Sequence, residues 1–134
     1  MVVLGLNIDH ADAAAALFVN DIFVGSIEEE RLSRIKHWAG FPSKAIETLL
    51  AKASLSPGDV DIVAVNRNGL SAKSRAFRYA LANPLKVQHL VSRASSRRSF
   101  KSRLSDQLKA VGISCPVVEC RHHLAHHLSG FLFS

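Results

Sequence analysis

Three short apolar runs separated by polar turn residues form the amino-terminal part of the chain. The runs cover residues 2–8, 13–19 and 22–27. Asn20 and Asp21 stand between the second and third runs, and both residue types tolerate the positive φ of a tight hairpin turn. The alanines at 13–16 by themselves favour a helix, but the flanking turns indicate a strand. The pattern therefore predicts two or three adjacent antiparallel strands.

Helical spacing begins at Ser43. This residue is a favourable helix N-cap, and the apolar positions that follow lie on one side of a helix. These positions are Ala45, Ile46, Leu49, Leu50 and Ala53. We expect the helix to end by Ser54, before Pro57. The apolar run 60–65 then predicts a short buried strand, and a helix followed by such a strand is typical of an α/β layer.

The second half of the chain is predicted to be mostly helical. Helices are expected over 71–111, with a break at Asn83-Pro84 and a Ser/Arg-rich connection at 93–102. The last helix covers 105–111 and ends at Gly112, because glycine is common just after helix carboxyl termini.

Four of the seven histidines lie near the carboxyl end, after a further predicted strand at 116–119. Residues four apart share one face of a helix. His122 and His126 therefore form one candidate metal-binding pair, and His123 and His127 form a second. Two imidazoles on one helix face can bind a single metal ion, and the residues alone leave both pairs open.

Residues 28–42 are densely charged and follow neither the helical nor the strand period. Three acids open the segment, and bases and His37 follow within ten residues. The composition favours a solvated loop with a helical turn. The alternative is a loop that places cations near a substrate phosphate.

The formal net charge of +6 is unevenly distributed along the chain. Residues 67–109 contain eleven Lys or Arg and one acid, whereas the remainder contains six bases and ten acids. Such a block can be a nucleic-acid footprint, but its few aromatic residues form no base-stacking pattern. Nucleic acid is therefore not the expected partner. Solvated helix faces, a phosphorylated ligand or an acidic partner explain the block equally well.

Length and composition are typical of a globular protein. With 134 residues, 48% of them hydrophobic, the chain is long enough for a core of its own. No apolar run approaches the roughly 18 residues that span a bilayer, so no membrane partner is expected. Cys115 and Cys120 are too few for a disulfide framework and are predicted to be buried thiols. The first residues are interpreted as a strand rather than a signal peptide, and a cytoplasmic location is expected.

Three segments, in this order, resemble the N-terminal part of the O-carbamoyltransferases that act on antibiotics and nodulation factors. The first is the opening strand and turn at 4–17, with its His10-Ala-Asp12 pattern. The second, at 28–42, contains E-E-E-R-L-S-R-I-K-H-W-A-G-F-P, close to the family's E-E-E-R-x-S-R-x-K-H-x-x-G-F-P signature. The third is the His-His-Leu-Ala-His segment at 122–126. The likeness covers nearly all of the chain but only a fraction of a family enzyme.

The resemblance implies an α/β fold: the ribonuclease-H-like first lobe of an actin-like ATPase domain, with a mixed sheet and flanking helices. The tRNA threonylcarbamoyladenosine enzymes have a similar domain. Residues 1–134 would form this first lobe, with the second lobe and the adenylate-forming domain absent. The implied reaction moves a carbamoyl group from carbamoyl-adenylate, made from carbamoyl phosphate and ATP, to the hydroxyl of a small molecule, as in antibiotic biosynthesis. The chain alone is then expected to be inactive or incomplete.

The resemblance also implies roles for individual residues. His10 and Asp12 match the family's opening-turn histidine and acid, and either would take the proton from the attacking hydroxyl. Lys36 and His37 match the Lys-His pair that lines the transfer site and contacts the adenylate. A lysine there supplies positive charge where negative charge develops.

The implied metal site and partners complete this interpretation. His122 and His126 match the pair that holds a divalent ion (iron, manganese or magnesium), with a carboxylate from the second lobe. An apolar face left by the missing lobe would drive self-association or binding to a partner subunit. The alternative function is a non-catalytic binding or scaffold lobe for a partner protein.

Overall fold

The computed structural model describes residues 1–9, 11–66 and 100–120. The strands are β1 Val2–Asn7, β2 Ala14–Val19, β3 Ile22–Glu28, β4 Ile62–Asn66 and β5 Val117–Cys120. The helices are α1 Glu29–Ser33, α2 Ser43–Lys52 and α3, residues 100–110 of the described part. All five strands form one mixed sheet in the order β3-β2-β1-β4-β5. The predicted α/β class, a mixed sheet with flanking helices, is confirmed.

The first three strands form two successive antiparallel pairs, as predicted. β1 pairs with β2, and β2 pairs with β3. Asn20 and Asp21 connect β2 to β3 with φ of 50° and 66°, the left-handed conformation that a type I′ hairpin turn requires. The alanines of β2 are extended despite their helix preference, because Ala15 is buried in the core of the sheet.

The remaining two strands lie parallel on the other side of β1. β4 pairs in parallel with β1, and β5 pairs in parallel with β4. Antiparallel strands on one side of β1 and parallel strands on the other make the sheet mixed. The carboxyl ends of β1, β4 and β5 therefore lie at one edge of the sheet, together with the end of β3.

The core lies between one face of the sheet and the helices α2 and α3. Alternate residues of β1 are buried, as the period of a strand demands. The predicted apolar stripe of α2 is also buried, and α3 buries residues spaced by four. These helix residues are Ala45, Ile46, Leu49 and Leu50 of α2 and Phe100, Leu104 and Leu108 of α3.

The carboxyl end of α3 is a Schellman motif centred on Gly112, the residue at which the sequence predicted the helix to end. Gly112 has a φ of 80° and donates to the Lys109 carbonyl at 3.0 Å, while Ile113 donates to the Leu108 carbonyl at 2.9 Å. The expected connection at 93–102 is wrong for residues 100–102, which are helical because Phe100 is buried in the core.

The amino terminus of α2 differs from the prediction. Ser43 is the first helical residue rather than the N-cap, and Pro42 occupies the cap position without a side-chain bond. The Glu29 carboxylate accepts the N–H groups of Lys44 and Ala45 instead, at 3.3 and 2.9 Å. Glu29 is only 3% exposed. The prediction of a solvated charged segment is therefore wrong at Glu29.

Other expectations concern the cysteines, the membrane and the remaining helices. Cys115 and Cys120 are free thiols, half-buried rather than buried, and burial raises the pKa of Cys115. Among the described residues, no helix is long and apolar enough to cross a membrane. The helices predicted over 71–99 and from His122 onward lie outside the described residues.

Candidate functional site

Two asparagines are linked at the edge of the sheet where β1 and β4 end. Asn66, the last residue of β4, donates from Nδ2 to Oδ1 of Asn7 at 2.7 Å. Asn7 in turn donates from Nδ2 to the backbone carbonyl of Asp12 at 3.0 Å. Ligands of open α/β sheets bind outside the carboxyl ends of parallel strands. This edge is therefore the candidate site.

The turn between β1 and β2 carries two aspartates at this edge. Asp9 and Asp12 have φ of 59° and 65°, a left-handed conformation that aspartate visits more readily than most residues. Arg103 of α3 donates to Oδ2 of Asp9 at 3.0 Å. Both side chains are partly exposed, so the pair adds little stability. It does link the turn to α3.

The segment between α1 and α2 folds back over this turn through backbone hydrogen bonds. Ala13 donates its N–H to the carbonyl of Trp38 at 2.9 Å and accepts from the N–H of Glu29 at 2.9 Å. Ala13 thus contacts both ends of the stretch that contains the charged residues. Asp12 and His37 directly precede Ala13 and Trp38 in the chain, so the bond between Ala13 and Trp38 brings them close together.

Asp12 and His37 form the central contact of the site. Their Oδ1 and Nδ1 atoms are 3.0 Å apart, and the backbone N–H of His37 donates to Oε2 of Glu30 at 3.0 Å. The hydrogen bond and the charge of Asp12, with a smaller effect of Glu30, raise the pKa of His37 above its ordinary value of 6.5. The His37 side chain is 75% exposed. Its ring is therefore open to a ligand.

The same residues are the one group of possible metal ligands in the described part of the chain. Donor atoms of Asp12, Glu30 and His37 all lie within 4.8 Å of one another. An imidazole nitrogen must be unprotonated to bind a metal. Here Nδ1 is hydrogen-bonded to a carboxylate, and the raised pKa favours the protonated ring. The arrangement is that of an ion pair rather than a preformed metal site.

Lys36 is an exposed cation directly before His37. Nearby, Glu28 pairs with Arg31 at 3.2 Å, and Glu30 accepts the backbone N–H of His37. Within the described ranges Lys36 takes part in no ion pair. Its charge is therefore available to an anionic ligand.

The structure brings three of the predicted site residues together. Asp12 contacts His37, and Lys36 is the neighbour of His37 in the chain. The other predicted site residues, His10, His122 and His126, lie outside the described residues.

Two acids of this region have structural contacts that the sequence pattern did not predict. Glu30 holds the backbone of His37, and Glu29 caps α2. Both belong to the E-E-E run of the signature, which was interpreted as a charged surface. No local sequence signal identifies Glu29 as the cap, because it lies fourteen residues before the start of α2 and in another helix.

Comparison with known proteins identifies the family. A family model described as the carbamoyltransferase N-terminus matches residues 2–134. The chain belongs to this family. The resemblance found in the three sequence segments is thereby confirmed.

Two curated relatives of this carbamoyltransferase-family chain are much longer than it is. It is 29% identical over 140 residues to the uncharacterized protein sll1178 of Synechocystis sp., covering 96% of this chain and 23% of the relative. It is 27% identical over 125 residues to the nodulation protein NolNO of Sinorhizobium fredii, covering 92% of this chain and 18% of the relative. The chain thus spans less than a quarter of the length of either relative.

One solved structure aligns with this carbamoyltransferase-family chain at lower sequence identity than the two relatives. YeaZ from Pseudomonas aeruginosa aligns with 14% sequence identity and a TM-score of 0.45. The alignment covers 90% of this chain and 43% of YeaZ.

Proposed function

We propose that this chain is the first lobe of the transfer domain of an O-carbamoyltransferase. In the proposed reaction a carbamoyl group passes from carbamoyl-adenylate, made from carbamoyl phosphate and ATP, to a hydroxyl group of a small-molecule acceptor. The observation that carries the proposal is the contact between Asp12 and His37 at the carboxyl edge of the sheet. These residues are 25 positions apart and come from two separate segments of the family likeness.

The charges beside this contact suit an anionic donor. Lys36 is exposed and has no ion-pair partner in the described part. In the proposed complex its ammonium group binds the phosphate of carbamoyl-adenylate and stabilises the negative charge that grows as AMP leaves. His37 lines the same site. In this proposal Asp12 and His10 assist the removal of the proton from the acceptor hydroxyl.

A divalent ion (iron, manganese or magnesium) is proposed to bind His122 and His126. Support comes from their spacing of four residues, which suits two imidazoles on one helix face. β5, which directly precedes them in sequence, ends at the same sheet edge as β1 and β4. A bound ion supplies positive charge for the phosphate. A carboxylate from a second lobe would complete its ligands.

The rest of the enzyme is proposed to be a second lobe and an adenylate-forming domain, in the same polypeptide or in a partner subunit. Support comes from the small share of the longer relatives that this chain spans. We expect the 134-residue chain to be inactive by itself and to self-associate. When the chain is alone, the apolar face that would contact the second lobe is exposed to water, and this exposure favours self-association.

Carbamoyl transfer by the assembled enzyme, in which this chain is combined with its second lobe and adenylate-forming domain, tests the proposal. The protein is incubated with labelled carbamoyl phosphate, ATP, each of the three cations in turn and a panel of hydroxyl acceptors. We expect label to appear in an acceptor and AMP to be released. Lys36→Gln is expected to slow transfer about 100-fold, whereas Lys109→Gln, which alters an exposed lysine on α3, leaves it unchanged. Failure to label any acceptor with any cation contradicts the proposed function.

A second candidate function is a non-catalytic lobe that docks onto a partner protein. The observation that favours it is the exposure of Ile22 and Phe23, which are 70% and 44% exposed on the edge strand β3. Size-exclusion chromatography with and without the proposed second lobe and adenylate-forming domain distinguishes the candidates. A docking lobe forms the complex but gives no labelled acceptor, whereas a catalytic lobe gives both.

A further inference from the structure

The contact between Asp12 and His37 has the geometry of a carboxylate–imidazole dyad. An ionised carboxylate can only accept hydrogen bonds. At 3.0 Å from Oδ1 of Asp12, the Nδ1 atom of His37 must therefore carry the shared proton. In the neutral ring this leaves Nε2 with a lone pair. Within the described part of the chain Nε2 forms no hydrogen bond or ion pair, and the side chain is 75% exposed.

Backbone bonds on both sides hold this dyad in place. The N–H of Ala13 donates to the carbonyl of Trp38, and the N–H of His37 donates to Glu30. The two residues of the dyad are therefore positioned by their own neighbours in the chain rather than by the side-chain contact alone. Such support is what a group that must transfer a proton in a fixed direction requires.

We propose that His37, oriented by Asp12, takes the proton from the acceptor hydroxyl during carbamoyl transfer. This inference rests on the proposed function and deepens it. Asp12 acts through the imidazole and is a positioning residue, while His37 contacts the acceptor. A carboxylate whose oxygen already accepts from Nδ1 is less available to a hydroxyl than the open Nε2 atom.

The proposed step forms one bond and breaks another at the carbamoyl carbon. The hydroxyl oxygen of the acceptor forms a bond to the carbamoyl carbon of carbamoyl-adenylate. The bond between that carbon and the phosphate oxygen breaks, and its electron pair leaves on the phosphate of AMP. The hydroxyl proton passes to Nε2 of His37, which becomes an imidazolium stabilised by Asp12. Loss of that proton to water restores the neutral ring.

The charged groups that face His37 set the pH at which it can act. Asp12, on the β1–β2 turn, and Glu30, on α1, both favour the protonated ring. The free base is therefore populated at a higher pH than for an ordinary histidine. The neutral ring is the form that accepts the hydroxyl proton, so the rate is expected to fall as the pH drops through the pKa of His37. Lys36 is the adjacent positive charge along the segment.

NMR spectroscopy of the 134-residue chain tests the dyad without any activity measurement. The chemical shifts of the ring nitrogens of His37 are expected to identify the tautomer with hydrogen on Nδ1. The pKa of His37 is expected to lie above its ordinary value. In Asp12→Asn the titration should return toward the ordinary range and the tautomer preference should weaken. Glu30→Gln is the matched control, with a smaller displacement. The proposal is overturned if the hydrogen of the neutral ring lies on Nε2, or if the pKa of His37 is the same in Asp12→Asn as in the parent.

Kinetics of the same assembled enzyme test the role of His37 in transfer. Glycerol serves as the hydroxyl probe, and AMP release and labelled glycerol are measured across pH. His37→Gln is expected to lower the rate about 100-fold or more. Added imidazole should restore part of the activity of His37→Ala, and Asp12→Asn should move the acidic limb of the pH profile to lower pH. A structural role alone would produce neither imidazole rescue nor a displaced limb.

The outcomes of the kinetic test separate two failures. If His37→Gln transfers carbamoyl groups as fast as the parent, the role of His37 is wrong and the proposed function stands. If the parent labels neither glycerol nor any other acceptor, the proposed function fails and takes the role of His37 with it. The NMR result then still decides whether the dyad exists.

Discussion

The backbone N–H of Ala13 donates a hydrogen bond of 2.9 Å to the carbonyl oxygen of Trp38. This bond joins the residues that directly follow Asp12 and His37, so it fixes how close those two side chains lie. Because both bonding groups belong to the main chain, no side-chain substitution removes the bond directly. Its geometry depends instead on how Trp38 packs.

The packing of Trp38 can be disturbed from Gly40. A Cβ atom at Gly40 would lie 2.9 Å from Nε1 and 3.0 Å from Cε2 of the Trp38 indole, which forces the ring to move. We expect Gly40→Ala to destabilise the fold by about 1–3 kcal/mol, as overpacking does. Urea denaturation followed by fluorescence measures this, because Trp38 is the single tryptophan of the chain.

The control for Gly40→Ala is Gly58→Ala. The nearest atom to a Cβ at Gly58 is Oγ of Ser56 at 3.8 Å, an ordinary contact. The control should leave both the emission maximum and the urea midpoint almost unchanged. Equal behaviour of the two variants would show that the segment around Trp38 adapts without strain.

The buried carboxylate of Glu29 is expected to stabilise α2. It accepts the first free N–H groups of the helix, from Lys44 and Ala45. Glu29→Ala removes this cap and is expected to cost about 1–2 kcal/mol of unfolding free energy. Glu28→Gln is the matched control, because Glu28 forms only an exposed pair with Arg31, of a kind worth about 0–1 kcal/mol. Urea denaturation followed by circular dichroism would contradict the cap if both variants lost the same stability.

The end of α3 depends on glycine at position 112. Gly112 has a φ of 80°, and a Cβ there would also lie 3.3 Å from Cβ of Pro57. We expect Gly112→Ala to lower the unfolding free energy by about 1–2 kcal/mol, the cost of a left-handed backbone for an L-residue. Gly5→Ala is the comparison, because its Cβ would meet Ala16 only at 3.8 Å. If Gly112→Ala unfolds at a higher temperature than Gly5→Ala, the result argues against the Schellman motif.

The ion pair of Asp12 and His37 is expected to make stability depend on pH. Because the folded-state pKa of His37 is raised, the pair stabilises the fold fully below the unfolded-state pKa of about 6.5. That contribution disappears as the pH rises through the folded-state pKa. His37→Gln should therefore be less stable than the parent at about pH 5.5 and similar to it at about pH 8.5. Urea denaturation at both values measures the difference, and in an Asp12→Asn background the difference should vanish.

Local sequence signals were sufficient for most of the elements. The turn at Asn20 and Asp21 is predictable because few residues accept positive φ at both positions of a two-residue hairpin turn. The stripe of α2 and the stop at Gly112 are likewise set by short-range periodicity and backbone preference. The cap of α2 was assigned to Ser43 because local rules consider only the residue next to the helix. The true acceptor, Glu29, is supplied from another helix.

The candidate site required more than local signals. The family likeness marked Asp12, Lys36 and His37 as separate positions, with Asp12 and His37 in different roles. Neither spacing nor composition states that the carboxylate of one contacts the ring of the other, because the contact spans 25 residues. The role of Glu30 was missed for the same reason, since an acid in a charged run looks solvated until its partner is known.

The sequence by itself determined the strands, the hairpin, the amphipathic helix and the family, since each depends on neighbouring residues or on a contiguous motif. The tertiary structure decided which strand lies beside which, that Glu29 caps α2, and that Asp12 meets His37. The physical reason is that these relationships depend on main-chain bonds and burial between distant segments. Ala13 illustrates the difference: alanine carries no side-chain signal, yet its backbone N–H and C=O connect β2 to the residues on which the proposed chemistry depends.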